Sequence, residues 1–214
     1  MATEALPPLA EPFADRRQQR TADELGIWLY MATEIMMFGA LFLGLALYRV
    51  TWPAATAEAS RHLLKWIGAA NTAVLLTSSL TMALAVLAAR ADRQGRCVLL
   101  LLATAALGLA FLGIKAYEYH DEYTQGLMPF AGPGFPLQER GTELFFDLYY
   151  LGTGLHALHL AVGIVLVGGL ALRLLVDRAL LPDRAVTVAV IGIFWHLIDI
   201  VWIFLFPVLY LVAR

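Results

Sequence analysis

Five ionisable side chains interrupt long apolar runs, where a carboxylate or an imidazole can bind a metal, relay a proton or pair with another polar group. They are Glu34 in Trp28-Leu-Tyr-Met-Ala-Thr-Glu-Ile-Met-Met-Phe-Gly39, His156 and His159 in Gly152-Thr-Gly-Leu-His-Ala-Leu-His, and His196 and Asp199 in Phe194-Trp-His-Leu-Ile-Asp-Ile-Val-Trp202. An ionisable group inside hydrocarbon costs about 2.5–3.5 kcal/mol on insertion scales, so each needs a partner or a task. Residues three apart share a helical face, and His156 and His159 could therefore reach one metal ion. Two ligands do not complete a metal site. No carboxylate set accompanies them, His62 and His120 fall in or near connections, and His196 stands close to Asp199. Two further readings stay open for the pair: neutral histidines hydrogen-bonding across a helix bundle, or one histidine donating to Glu34 and relieving the burial of both groups. His196 and Asp199 are also three apart, which suits a structural pair or a step of a proton relay, with Trp195 and Trp202 as large flanking anchors. Catalysis is not needed to explain any of these groups, and no phosphate loop, nucleophile elbow or paired acid and base is present.

Membrane helices carry these groups. Of 214 residues, 60% are hydrophobic and 15% charged, and the mean hydropathy is +0.72. A soluble domain of this length needs a surface about a quarter or more charged, so a lipid-facing exterior is the consistent reading. The net charge of -2 offers no extended basic surface for nucleic acid, and the single cysteine, Cys97, excludes an internal disulfide or a thiolate cluster.

Five stretches meet the requirement of roughly 20 mostly apolar residues per crossing. They predict an all-α polytopic bundle with spans near 25–48, 66–89, 97–117, 145–175 and 185–212. Residues 1–24, with Pro7, Pro8, Pro12, Arg16, Arg17 and Arg20, read as a flexible leader, and 25–214 as one transmembrane domain. The apolar stretch after the leader is too long for a secretory signal. Positive charge is more abundant on the N-terminal side, which holds Arg16, Arg17, Arg20, Arg90, Arg93, Arg96, Arg173, Arg178 and Arg184. The other side has Arg49, Arg61, Lys65, Lys115, Arg140 and Arg214, together with many acids. The expected topology is therefore N-terminus inside, C-terminus outside. The connection from Glu118 to Phe146, punctuated by Pro129, Gly132, Pro133, Gly134 and Pro136, reads as an ordered surface loop. Gly39, Gly44, Gly108, Gly113, Gly163, Gly168 and Gly169 predict close helix contacts, and Asn71, Thr72, Thr77, Ser78, Ser79 and Thr81 give the second span a polar side suited to burial.

Several of these segments together resemble subunit III of haem-copper respiratory oxidases. The residues that carry the resemblance are Glu34 in Ala-Thr-Glu-Ile-Met-Met-Phe-Gly, the run from Asn71 through Thr-Ala-Val-Leu-Leu-Thr-Ser-Ser, and Glu118 in Lys-Ala-Tyr-Glu-Tyr. To these are added Thr153-Gly-Leu-His-Ala-Leu-His and Trp195-His-Leu-Ile-Asp-Ile-Val-Trp-Ile-Phe-Leu-Phe. The resemblance spans about residues 25–210 and is closest to the short five-helix bacterial form, which starts at the third helix of the longer members. It implies a subunit of the bacterial inner membrane with no haem or copper of its own, packed against subunit I beside subunit II, binding structural phospholipids and supporting proton uptake. Glu34 then matches the family's buried carboxylate, His156 and His159 its histidine pair, and Arg173 an arginine that holds a lipid phosphate through charge-assisted hydrogen bonds. Within the same resemblance lies the accessory subunit of nitric oxide reductase systems. A small proton-coupled transporter lined by Glu34, His156 and Asp199 is the alternative from a different class.

Overall fold

The computed structural model describes residues 15–128, 141–176 and 185–211. Among these residues the elements are α1 (Arg16–Thr51), α2 (Pro53–His62), α3 (Lys65–Arg90), α4 (Gln94–Thr124), α5 (Thr142–Val176) and α6 (Ala185–Tyr210). Every element except α2 contains a stretch long and apolar enough to cross a membrane, five in all. The all-helical, five-span fold class is thus the observed one.

The chain divides into two compact units, Met1–Met37 and Phe38–Arg214, and the division falls inside α1. In the second unit α3 packs on α4 and α6, and α5 packs on the same two helices, closing a ring of four. Phe38, Leu41, Leu45 and Tyr48 from the C-terminal half of α1 join the buried core of this ring. Tyr48 also donates to the Gly141 carbonyl at 2.8 Å, tying the end of α1 to the start of α5.

Local sequence explains the breaks. Pro53 occupies the first turn of α2, where its missing N–H is harmless, and disfavours helical continuation through Trp52, so α1 stops at Thr51. Between α3 and α4 the connection is only Ala91 to Arg93, and Asp92 turns the chain with φ 53°, a left-handed conformation that aspartate tolerates better than most residues.

Several expectations shift. Helix α1 begins at Arg16 rather than near Leu25, and α2 is an additional helix within the first connection. Helix α4 continues to Thr124, so Glu118 and Glu122 belong to a helix and are buried, as is Lys115. These residues are not part of a surface loop, and Lys115 is not one of the exposed charges that bear on orientation. The turns expected between Pro129 and Pro136 lie outside the described residues.

The glycines separate into two groups. A Cβ on Gly108 would stand 2.8 Å from the Trp195 ring and one on Gly163 3.2 Å from it, so the indole fills a notch that only glycine leaves open. Gly39, Gly44, Gly113, Gly168 and Gly169 have nothing within 4 Å of that position and are not close-contact glycines.

The polar side of α3 is turned inward, as its composition suggested. Asn71 donates to the Phe111 carbonyl at 3.3 Å, Trp202 donates to Thr72 at 3.0 Å, and Trp195 donates to Ser78 at 3.1 Å. Thr77, by contrast, is exposed and bonds within its own helix.

Candidate functional site

The densest polar chemistry lies where the C-terminal ends of α4 and α6 meet the N-terminal part of α5. Lys115, Glu118, Tyr119 and Glu122 follow the i, i+3, i+4, i+7 spacing of one helical face. The ammonium of Lys115, 3% exposed, donates to Glu118 Oε2 at 2.9 Å, Tyr149 Oη at 3.0 Å and Tyr210 Oη at 2.9 Å. An ammonium has three protons, and here all three are placed.

The tyrosines pass the order outward. Tyr210 donates to Glu118 Oε1 at 2.7 Å, Tyr149 to Glu122 Oε1 at 2.8 Å, and Tyr150 to Glu122 Oε2 at 2.7 Å. Both oxygens of both carboxylates therefore accept. Because each phenolic proton is already committed, the 3.2 Å approach of Tyr149 and Tyr210 oxygens reflects their shared ammonium and not a further bond. Rings of Tyr119, Tyr149, Trp202 and Tyr210 surround the cation with centroids 4.9–5.6 Å from Nζ, adding cation–π attraction in a dry setting. The Tyr119 hydroxyl meets Thr153 on α5, whose own hydroxyl donates to the Tyr149 carbonyl at 2.6 Å. The cluster joins three helices with no polar atom left over among its charged groups.

The sequence-predicted residues are distributed around this centre. His156, 1% exposed, sits one aromatic layer deeper, 5.4 Å from the Phe111 ring and 5.0 Å from that of Trp202. Neither of its ring nitrogens makes a hydrogen bond. The expectation that it bonds across the bundle is corrected: its contacts are ring to ring. His159, half-buried, lies against Phe38 at 5.4 Å and places Nδ1 2.7 Å from the Leu155 carbonyl of its own helix. Three residues apart, the two histidines thus pack against different neighbours, and among the described residues no group of three His, Cys, Asp or Glu is placed to hold a metal.

Glu34 belongs to the first unit, is half-buried, and has Tyr30, one turn earlier, as a hydrogen-bonding neighbour. Arg173 is exposed in the last turn of α5. His196 accepts or donates at Nδ1 with Ser79 Oγ, 2.9 Å away, and the same nitrogen is 3.8 Å from Asp199 Oδ2.

Sequence reasoning named Glu118 but missed Lys115, Glu122, Tyr149, Tyr150 and Tyr210. The signal that finds them is the helical spacing of Lys115, Glu118 and Glu122, which continues the buried face set by Phe111.

Fold and site together define a polytopic helical membrane protein whose principal buried charges bind its helices to one another. The profile of the family cytochrome c oxidase subunit III matches residues 17–214, and the chain belongs to that family. It is 30% identical over 193 residues to cytochrome c oxidase subunit 3 of Thermostichus vulcanus, covering 89% of this chain and 87% of the relative. Over 208 residues it is 26% identical to the probable quinol oxidase subunit 3 of Staphylococcus epidermidis, covering 95% and 96%. With the cytochrome bo(3) ubiquinol oxidase subunit 3 of Pseudomonas aeruginosa it shares 28% identity over 188 residues, covering 88% and 84%. The chain is accordingly a multi-pass membrane subunit of a haem-copper oxidase complex, with partner oxidase subunits.

Proposed function

We propose that the chain acts as a cofactor-free accessory subunit of a proton-pumping terminal oxidase, with haem and copper carried by its partners. In this reading it packs against subunit I, with subunit II in the same complex, retains structural phospholipids, and sustains proton uptake by subunit I. The observation that carries the reading is the saturation of Lys115, Glu118 and Glu122 by one another and by tyrosines: the largest cluster of buried charge among the described residues is committed to holding helices in place.

The lipid role rests on Arg173. Leu174 and Leu175, which follow it in sequence, line a groove of about 350 Å³ together with Gln94, Gly95 and Val98. A guanidinium in the last turn of a membrane helix suits a lipid phosphate. Glu34 is assigned, as the family's matching carboxylate, to a lipid-binding or buried polar role, and His156 and His159 are assigned separately as the family's matching histidine pair. Residues 1–24 serve as a leader to the membrane domain 25–214, the N-terminus is inside and the C-terminus outside, and the membrane is the bacterial plasma membrane.

Lipid counting on the purified complex tests this. Arg173→Gln is expected to remove about one phospholipid per complex in quantitative mass spectrometry and to shorten activity during sustained turnover. An unchanged lipid count with unchanged turnover lifetime would reject the lipid role.

A further inference from the structure

A second polar group, on the opposite principle from the Lys115 cluster, occupies the α3/α6 face. His196 stands near the middle of α6, and its side chain is 37% exposed. At about 1.5 Å per residue, it is roughly 16 Å along the helix from Ala185 and roughly 21 Å from Tyr210. In a hydrocarbon layer about 30 Å thick, lipid headgroups do not reach that depth.

Behind the imidazole lies Asp199, 2% exposed; His196 and Ser79 face its carboxylate, but neither oxygen accepts a hydrogen bond within 3.5 Å. The nearest basic atom, His196 Nδ1 at 3.8 Å from Oδ2, is too far for one. Ser79 holds Nδ1 at 2.9 Å, and among the described residues Nε2, the outward nitrogen, has no partner. A carboxylate close to Nδ1 favours the proton on that nitrogen, and we assign the tautomer accordingly. Nε2 is then an acceptor aimed away from the bundle.

Next to it a groove of about 330 Å³ runs between the two helices, with Ala83, Val86 and Leu87 on one wall, Ala189, Gly192 and Ile193 on the other, and Arg90 at the end of α3 as its one charged lining residue besides His196. Small residues there let another helix backbone come close, and a Cβ on Gly192 would stand only 3.1 Å from Val86, so the furrow is as narrow as the two helices permit.

We infer that this face is where a transmembrane helix of a partner oxidase subunit docks, presenting a hydroxyl, amide or indole donor to His196 Nε2 at mid-membrane depth. A phospholipid would fill the apolar groove but could not supply a donor at that depth. A partner helix supplies both the apolar surface and the donor, and removes the cost of exposing an imidazole to acyl chains. The inference rests on the chain being held in an oxidase complex and adds which face is held and by what chemistry.

The test is photo-crosslinking in membranes containing the whole complex, with benzoylphenylalanine placed at Ile193 on the groove wall or, separately, at exposed Val165 on α5. Ile193 is expected to crosslink to a partner subunit at least tenfold more efficiently than Val165. Crosslinks from Ile193 only to phospholipid, only to a second copy of this chain, or no more often than from Val165 would overturn the docking face. If the chain fails to copurify with haem-bearing subunits at all, the reading of the complex fails with it, and copurification separates the two failures. In addition, His196→Leu should lower retention of the chain in the detergent-purified complex about tenfold, whereas undiminished retention would count against the contact.

Discussion

The Lys115 cluster and the His196–Asp199 pair are both ionisable groups inside a membrane bundle, yet they satisfy their bonds in opposite ways. Around Lys115 every proton of the ammonium and every oxygen of two carboxylates has a partner supplied by this chain. Around His196, one imidazole nitrogen is bonded, while both oxygens of Asp199 accept nothing. Hydrocarbon penalises an unmet polar group at both places, so the difference concerns where the partner comes from. A saturated cluster closes a region on itself, and its energy goes into holding α4, α5 and α6 in one arrangement. In the unsaturated pair the half-exposed imidazole leaves its second nitrogen to a neighbour, while Asp199 stays buried behind it. Polar residues in a membrane subunit can thus be sorted into those that build the subunit and those that seat it.

Variants on the saturated side should have the largest effects. Lys115→Met removes one charge and leaves Glu118 and Glu122 buried without a cation, for which a loss of about 3–5 kcal/mol is expected. In practice the variant should accumulate poorly in membranes, and what folds should melt well below the native chain in mild detergent. Melting at the native temperature would mean that the cluster is not what closes this end of the bundle.

A smaller loss is expected from Tyr149→Phe, which keeps the ring contacts but removes an acceptor from Lys115 and a donor from Glu122 Oε1. A cost of about 1–3 kcal/mol fits one buried carboxylate oxygen left unbonded. If Tyr149→Phe is as damaging as Lys115→Met, the ring packing against Tyr119, Tyr150 and Tyr210 matters in a way that hydrogen-bond accounting does not capture.

How legible each region was in the sequence follows from the same physics. The five spans were legible because hydrocarbon demands about 20 apolar residues in a row, and few other structures produce that pattern. The inward polar side of α3 was legible because Asn71, Thr72 and Ser78 have no reason to face lipid. The Lys115 cluster was not, because a lysine, two glutamates and several tyrosines near the end of a span resemble, residue by residue, the start of a wet loop. Their helical spacing on α4 carried the opposite message, and only the packing of Tyr149 and Tyr210 from distant parts of the chain turns it into a buried network. The ends of α1 and α4 were missed for a related reason, since a helix continues past its apolar stretch whenever side chains, and not lipid, cover it.

His156 is a third ionisable residue within a span, and its replacement should change least. It is more deeply buried than His196, yet neither ring nitrogen bonds to anything. What it does make is ring contact, with Phe111 at 5.4 Å and Trp202 at 5.0 Å, and Trp202 in turn borders the Lys115 ammonium. If shape is its contribution, His156→Phe keeps a ring of similar size and removes two unbonded polar atoms. The expected change in unfolding free energy is within about 1 kcal/mol of the native chain and towards greater stability. Thermal unfolding of the intact complex, with oxidase turnover measured alongside, checks it. A loss beyond about 2 kcal/mol would place an ordered water on the imidazole and turn this aromatic layer into a hydrated extension of the cluster above it.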